Sequence, residues 1–148
     1  MSNCKIRLMK PTGLEFHDIA YEIDYEIWNF IKHELKRKTK TQEGNLPVRY
    51  WQTHAVPLHQ ECWALVGSIS KAMSVYPSDP EKLKRQNDHF QDALEHNETL
   101  LQLIRLLNNE IPELDISKLD KAMDLIVRES KLLKGVITKN TVKKNRTS

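Results

Sequence analysis

Arg49 and His54 are the two residues whose types and spacing come nearest to a reaction centre. An arginine, four residues, then a histidine could neutralise a phosphate and move a proton, which is what RNA cleavage needs. The other histidines, His17, His33, His59, His89 and His96, do not extend this pattern. No His-Glu-x-x-His and no Glu-x-x-His occurs, so a zincin site or a di-iron bundle site is disfavoured. His89, Asp92 and His96 recur at helical spacing and are expected only to form surface hydrogen bonds. There is no Gly-rich phosphate loop, no nucleophile elbow and no pair of buried carboxylates. A non-enzymatic protein is expected, with no catalytic residue, metal or cofactor.

Positive charge is the stronger chemical signal. Lys71, Lys82, Lys84, Arg85, Lys131, Lys134, Lys139, Lys143, Lys144 and Arg146 are the candidate nucleic-acid-binding residues. Lysines and arginines bind phosphate backbones by neutralising charge and releasing counterions, with no fixed spacing. Lys82, Lys84 and Arg85 stand out because cations in a helix's first turns oppose its dipole. Lys36, Arg37, Lys38 and Lys40 end a helix instead, where the dipole itself accounts for them. Aromatics interleaved with glycines are missing, so binding is expected at phosphates and tolerant of sequence, for RNA or DNA.

These residues require long helices to position them. Phe16, Ile19, Ala20, Ile23, Ile27, Phe30, Ile31 and Leu35 mark a first helix over Leu14–Lys40. Leu58, Cys62, Leu65, Val66, Ile69, Ala72 and Met73 mark a second. Its start is ambiguous: Pro57 opens it, or Val48–Ala55 is already helical and Pro57 kinks it. Ser78-Asp79-Pro80 starts a third helix that reaches Asn109. Its seam is Leu83, Asn87, Phe90, Leu94, Asn97, Leu101, Ile104 and Leu107, the two asparagines setting register or meeting a neighbouring chain. After Pro112, a fourth helix to Thr138 buries Leu119, Ala122, Met123, Ile126, Val127, Ser130, Leu133 and Ile137. Short links favour antiparallel neighbours. The expected fold is all-α: an up-down-up-down four-helix bundle over 14–138, an N-terminal arm over 1–13 and a flexible basic tail over 139–148. That topology gathers the candidate cations at one pole, with Lys5, Arg7 and Lys10 of the arm.

At 148 residues with four glycines, a single helical domain fits better than a sheet protein rich in tight turns. The formal charge is +3, mildly basic, so clustering matters more than the total. Cys4 and Cys62 form no metal-spaced motif, and with no apolar leader or membrane span a reducing cytoplasm is expected. Trp28, Tyr21 and Tyr25 form an aromatic strip beside the first helix's apolar face, a hint of a subunit contact, and Trp63 follows Cys62 at the edge of the core.

The third and fourth helices carry a resemblance. Asp92, Ala93, Leu101, Ile104, Arg105 and Leu106, a short turn, and Lys134-Gly135-Val136-Ile137 resemble the four-helix-bundle family of the 23S ribosomal RNA intervening-sequence proteins. Within it the chain is most similar to the accessory variability determinants (Avd) of diversity-generating retroelements, over about residues 14–139. The Ser-Ile-x-x-Asn-Ile-Ala-Glu-Gly stretch of the intervening-sequence proteins is replaced here by Gly67-Ser68-Ile69-Ser70. The resemblance implies a basic homopentamer that binds nucleic acid and a reverse transcriptase, assisting complementary-DNA synthesis from a template RNA. Two alternatives come from other classes. Arg49 and His54 also resemble the minimal motif of the HEPN ribonucleases, and the chain could instead be a structural oligomer that scaffolds a protein partner.

Overall fold

The structure, a computed structural model, describes residues 15–35 and 50–147, with side chains up to Lys143. The arm, the Lys36–Lys40 cluster and Arg49 lie outside the described residues. Among the described residues there are four long α-helices and no strand. Helix α1 spans Glu15–Phe30 and passes into a π-helical turn, Ile31–Leu35. A second π-helical turn, Trp51–Ala55, leads into α2, Val56–Ser74. Helix α3 spans Pro80–Glu110, and a 3-10 turn, Ile116–Leu119, leads into α4, Asp120–Thr147.

Local chemistry accounts for most boundaries. The Asp79 carboxylate caps α3 by accepting the Lys82 amide at 2.9 Å, and Pro80 fits the first turn because its missing N–H would be unsatisfied there. Pro112 follows the cap residue Ile111 and cannot continue the helix. Pro57 stands in the first turn of α2, as the first expectation has it, and the π-helical turn Trp51–Ala55 precedes it, so the chain is already helical before the proline. Wider π-type spacing of hydrogen bonds brackets the point where the proline lacks a donor.

Packing is as the periodicity implies, with three corrections. Helix α2 packs chiefly on α3 and α1, and α4 on α3 and α1. Ile23, Ile27, Leu58, Leu65, Ile69, Leu100, Ile126 and Leu133 are enclosed in one core. On α3 the seam turns inward through Ala93 and Leu100, leaving Leu94 and Leu101 only half-buried. On α4, Val127 faces out and Glu129 takes the inner position, because the inward spacing runs Leu119, Ala122, Ile126, Glu129, Leu133. Residues 139–147, expected as a flexible tail, are helical: α4 continues to Thr147. Asn140 is buried there and donates to Gln86 Oε1 at 3.2 Å, while Gln86 donates to the Ala72 and Val75 carbonyls that end α2. With no glycine or proline after Gly135, nothing in the chain stops the helix at Thr138.

Asn97 is fully buried, and its Nδ2 bonds within the chain while Oδ1 is enclosed without a partner. Nδ2 donates to the Ile126 carbonyl at 2.8 Å and to Ser130 Oγ at 2.9 Å, fixing the register of α3 on α4. Asn87 repeats the arrangement nearer the helix start, donating to the Ile137 carbonyl and to Thr141 Oγ1, each at 3.3 Å.

Candidate nucleic-acid interface

The last acidic residue of the chain is Glu129. Six cations follow it: Lys131, Lys134, Lys139, Lys143, Lys144 and Arg146. The first four are exposed, and the side chains of Lys144 and Arg146 lie outside the described residues. Because α4 runs to Thr147, Lys131, Lys134 and Lys139 stand more than a turn before its end, beyond the reach of the dipole effect. Lys134 has a partner at distance, Glu98 Oε1 at 3.6 Å on α3, with both side chains more than half exposed. Such a pair holds little energy and leaves the ammonium available to another anion.

The start of α3 is different. Lys82, Lys84 and Arg85 are exposed and line a shallow groove of about 450 Å³. Asp79, Glu81 and Asp88 line the same groove, three anions against three cations. Asp88 takes Lys84 at 3.1 Å, and Asp79 is committed to the helix cap. Of the cations that oppose the dipole, Lys84 is thus paired with a carboxylate, while Lys82 and Arg85 share the groove with Asp79 and Glu81. A second cleft, of about 430 Å³, lies where Asp79, Pro80 and Leu83 meet Asn140 and Lys143, so the start of α3 and the end of α4 do share one pole. Lys71 is exposed in the last turn of α2. Lys131 and Lys134 are set further along the bundle, level with Glu98, and extend the positive surface away from the pole.

The histidines are taken up between helices. His54 is buried and its Nε2 lies 2.9 Å from Glu110 Oε2, joining the start of α2 to the end of α3. His96 Nδ1 lies 2.7 Å from Glu61 Oε2, so the bond expected along α3 runs across to α2. Among the described residues no group of histidine, cysteine and carboxylate could hold a metal ion. Burial pushes the Cys62 thiol far up, with Asp24 and Glu61 adding to the effect, so it is a core residue with little thiolate character. Burial likewise raises the Asp24 carboxyl, against the pull of His59.

Sequence reasoning missed two features. Glu129 is fully buried with neither carboxylate oxygen hydrogen-bonded, and burial pushes its carboxyl up to about 9. The heptad spacing held the signal, since Glu129 falls three residues after Ile126 and four before Leu133. The second feature is a row of rings, Trp51, Trp28, His59 and Trp63, with neighbouring centroids 6.2, 4.9 and 4.4 Å apart. Trp63 is 64% exposed and lies outside the core edge expected of it.

Among the described residues no helix is long and apolar enough to cross a membrane. Compared with known proteins, the chain matches no family model, no curated protein and no solved structure.

Proposed function

We propose that this chain is a non-enzymatic accessory protein that binds nucleic acid through the cationic face of α4. The single observation behind this is the carboxylate-free stretch after Glu129, which carries six cations, three of which, Lys131, Lys134 and Lys139, stand too far from the helix end for its dipole to account for them. Lys131, Lys139 and Lys143 are its centre, with Lys134, Lys144, Arg146 and Lys71 contributing. Lys82, Lys84 and Arg85 contribute less, because Asp79, Glu81 and Asp88 line the same groove and Asp88 pairs with Lys84.

The bundle is read as up-down-up-down. Inter-helix bonds support it: Glu61 with His96 and His54 with Glu110 run α2 against α3, and Asn87 with Ile137 and Asn97 with Ile126 run α3 against α4. The Avd resemblance supports a reverse transcriptase as protein partner, template-RNA-dependent synthesis as the process, and a homo-oligomer, with a pentamer as the assembly that likeness implies.

RNA affinity measured against salt tests this. For a protein neutralising several phosphates, log K falls linearly with log salt. Lys131, Lys139 and Lys143 changed together to Glu should lower affinity and flatten that slope by about one unit for each phosphate no longer neutralised. Unchanged affinity and slope in this variant would remove α4 as the binding face.

A further inference from the structure

Trp63 and Trp51 are large apolar side chains left 64% and 41% exposed, at the two ends of a continuous row of rings. The row crosses two helices. Trp51 stands edge-on to Trp28, Trp28 tilts against His59, and His59 tilts against Trp63. Trp28 and His59 are half-buried, and each outer indole packs on one of these rings while the rest of it stays open to solvent. Indoles braced in this way lose little side-chain freedom when something stacks on them.

Charge narrows what that something is. Lys32 lies one turn after Trp28 and its ammonium sits 6.0 Å from the Trp28 ring. Two nearby carboxylates are turned into the fold: Glu61 is bonded to His96, and Asp24 has Oδ1 enclosed without a hydrogen-bond partner. In the sequence, Lys36, Arg37, Lys38 and Lys40 follow directly after Leu35, and Glu43 is the sole acid between Leu35 and Tyr50. An occupant that offers flat π-faces joined by negative charge matches rings with the Lys32 ammonium beside them, and that is the chemistry of unpaired nucleotides. A duplex hides its base faces and can use only the cations.

We propose that Trp51, Trp28, His59 and Trp63 form a stacking platform for the bases of single-stranded nucleic acid, with Lys32 contacting the backbone. This rests on the nucleic-acid-binding function proposed above and adds to it a preference for unpaired strands, at a site separate from the α4 face.

Titrating the full chain with a uridine oligonucleotide, and with an RNA duplex carrying the same number of phosphates, tests the proposal through tryptophan emission and affinity. The single strand is expected to quench tryptophan emission and to bind more tightly than the duplex. Trp63→Ala should weaken single-strand binding about tenfold and leave duplex binding unchanged, while Trp63→Phe retains most of the affinity. Because Trp63 is exposed, both variants should keep the wild-type circular dichroism spectrum. Equal affinity for both RNAs, no quenching and no effect of Trp63→Ala would overturn the platform, even with salt-dependent binding intact. Trp63→Ala that alters self-association but not RNA affinity would also overturn it, assigning the rings to a protein contact. Failure of the wild-type chain to bind either RNA would overturn both the platform and the function it rests on.

Discussion

Glu34 Oε2 accepts the backbone N–H of Asp115 at 2.8 Å, across 81 residues of chain. Its other oxygen takes Lys118 Nζ at 3.0 Å. Glu34 is itself fully buried at the end of α1, so one carboxylate ties that end to the turn before α4. Glu34→Ala leaves the Asp115 amide without this acceptor and should cost about 1–3 kcal/mol. Lys118→Ala leaves Glu34 its bond to the Asp115 amide, so it should cost less than Glu34→Ala. Urea unfolding of both variants checks the ranking; equal losses would show that the ion pair, and not the buried amide bond, holds the joint.

Glu129 makes stability depend on pH. Its folded-state carboxyl titrates near 9 against an ordinary value of 4.5, so between those values the folded chain holds a proton the unfolded chain has released. The stability this represents is fully present below the unfolded value and is lost as pH rises towards the folded one, by at most about 1.4 kcal/mol per pH unit. The urea midpoint should therefore fall between about pH 6 and pH 8. Glu129→Met, which replaces the carboxyl with an apolar group of similar size, should raise the midpoint at the upper pH and flatten the profile. An identical profile in wild type and variant would mean that Glu129 does not control it.

Gly135 lies within α4, and a Cβ built there meets no heavy atom within 4 Å. Gly135→Ala should stabilise the chain by about 0.5–1 kcal/mol through the entropy of the unfolded state. A lower melting temperature in the variant would indicate that the open space at Gly135 is needed.

His54 tests the ribonuclease alternative. It is buried against Glu110, so His54→Ala should lower stability by about 1–2 kcal/mol. Labelled RNA should stay intact with both wild type and variant, as resolved on a denaturing gel. Cleavage by the wild type that disappears in the variant would restore His54 to a catalytic role.

The helices are legible in the sequence because apolar spacing is a local property. Ile19, Ile23, Ile27, Leu58, Leu65 and Ile69 are all enclosed at the positions their periodicity implies. The interior polar residues are harder to place. Asn97 is legible as a seam residue, but its partners Ile126 and Ser130 are set by the pairing of two helices. Val127 and Glu129 lie two residues apart, and only the roll of α4 against its neighbours decides which faces inward. The end of α4 departs from expectation because a polar, basic composition suggests a tail, whereas Asn140 and Thr141 are anchored by Gln86 and Asn87. The cations are legible as residue types; that carboxylates interleave the α3 group while none follows Glu129 becomes informative once both stretches are known to be helical. The ring row stays hidden because Trp28 and Trp51 are distant in sequence and meet where α1 packs on α2.

The most direct test of the central claim compares two charge reversals, Lys131/Lys139/Lys143→Glu and Lys82/Lys84/Arg85→Glu, by RNA affinity across a salt series. The α4 variant should lose more affinity and more of the salt slope, because no carboxylate interleaves its lysines along the helix after Glu129, whereas Asp79, Glu81 and Asp88 share one groove with the α3 cations. Equal small effects, or a larger loss from the α3 variant, would contradict α4 as the nucleic-acid-binding face.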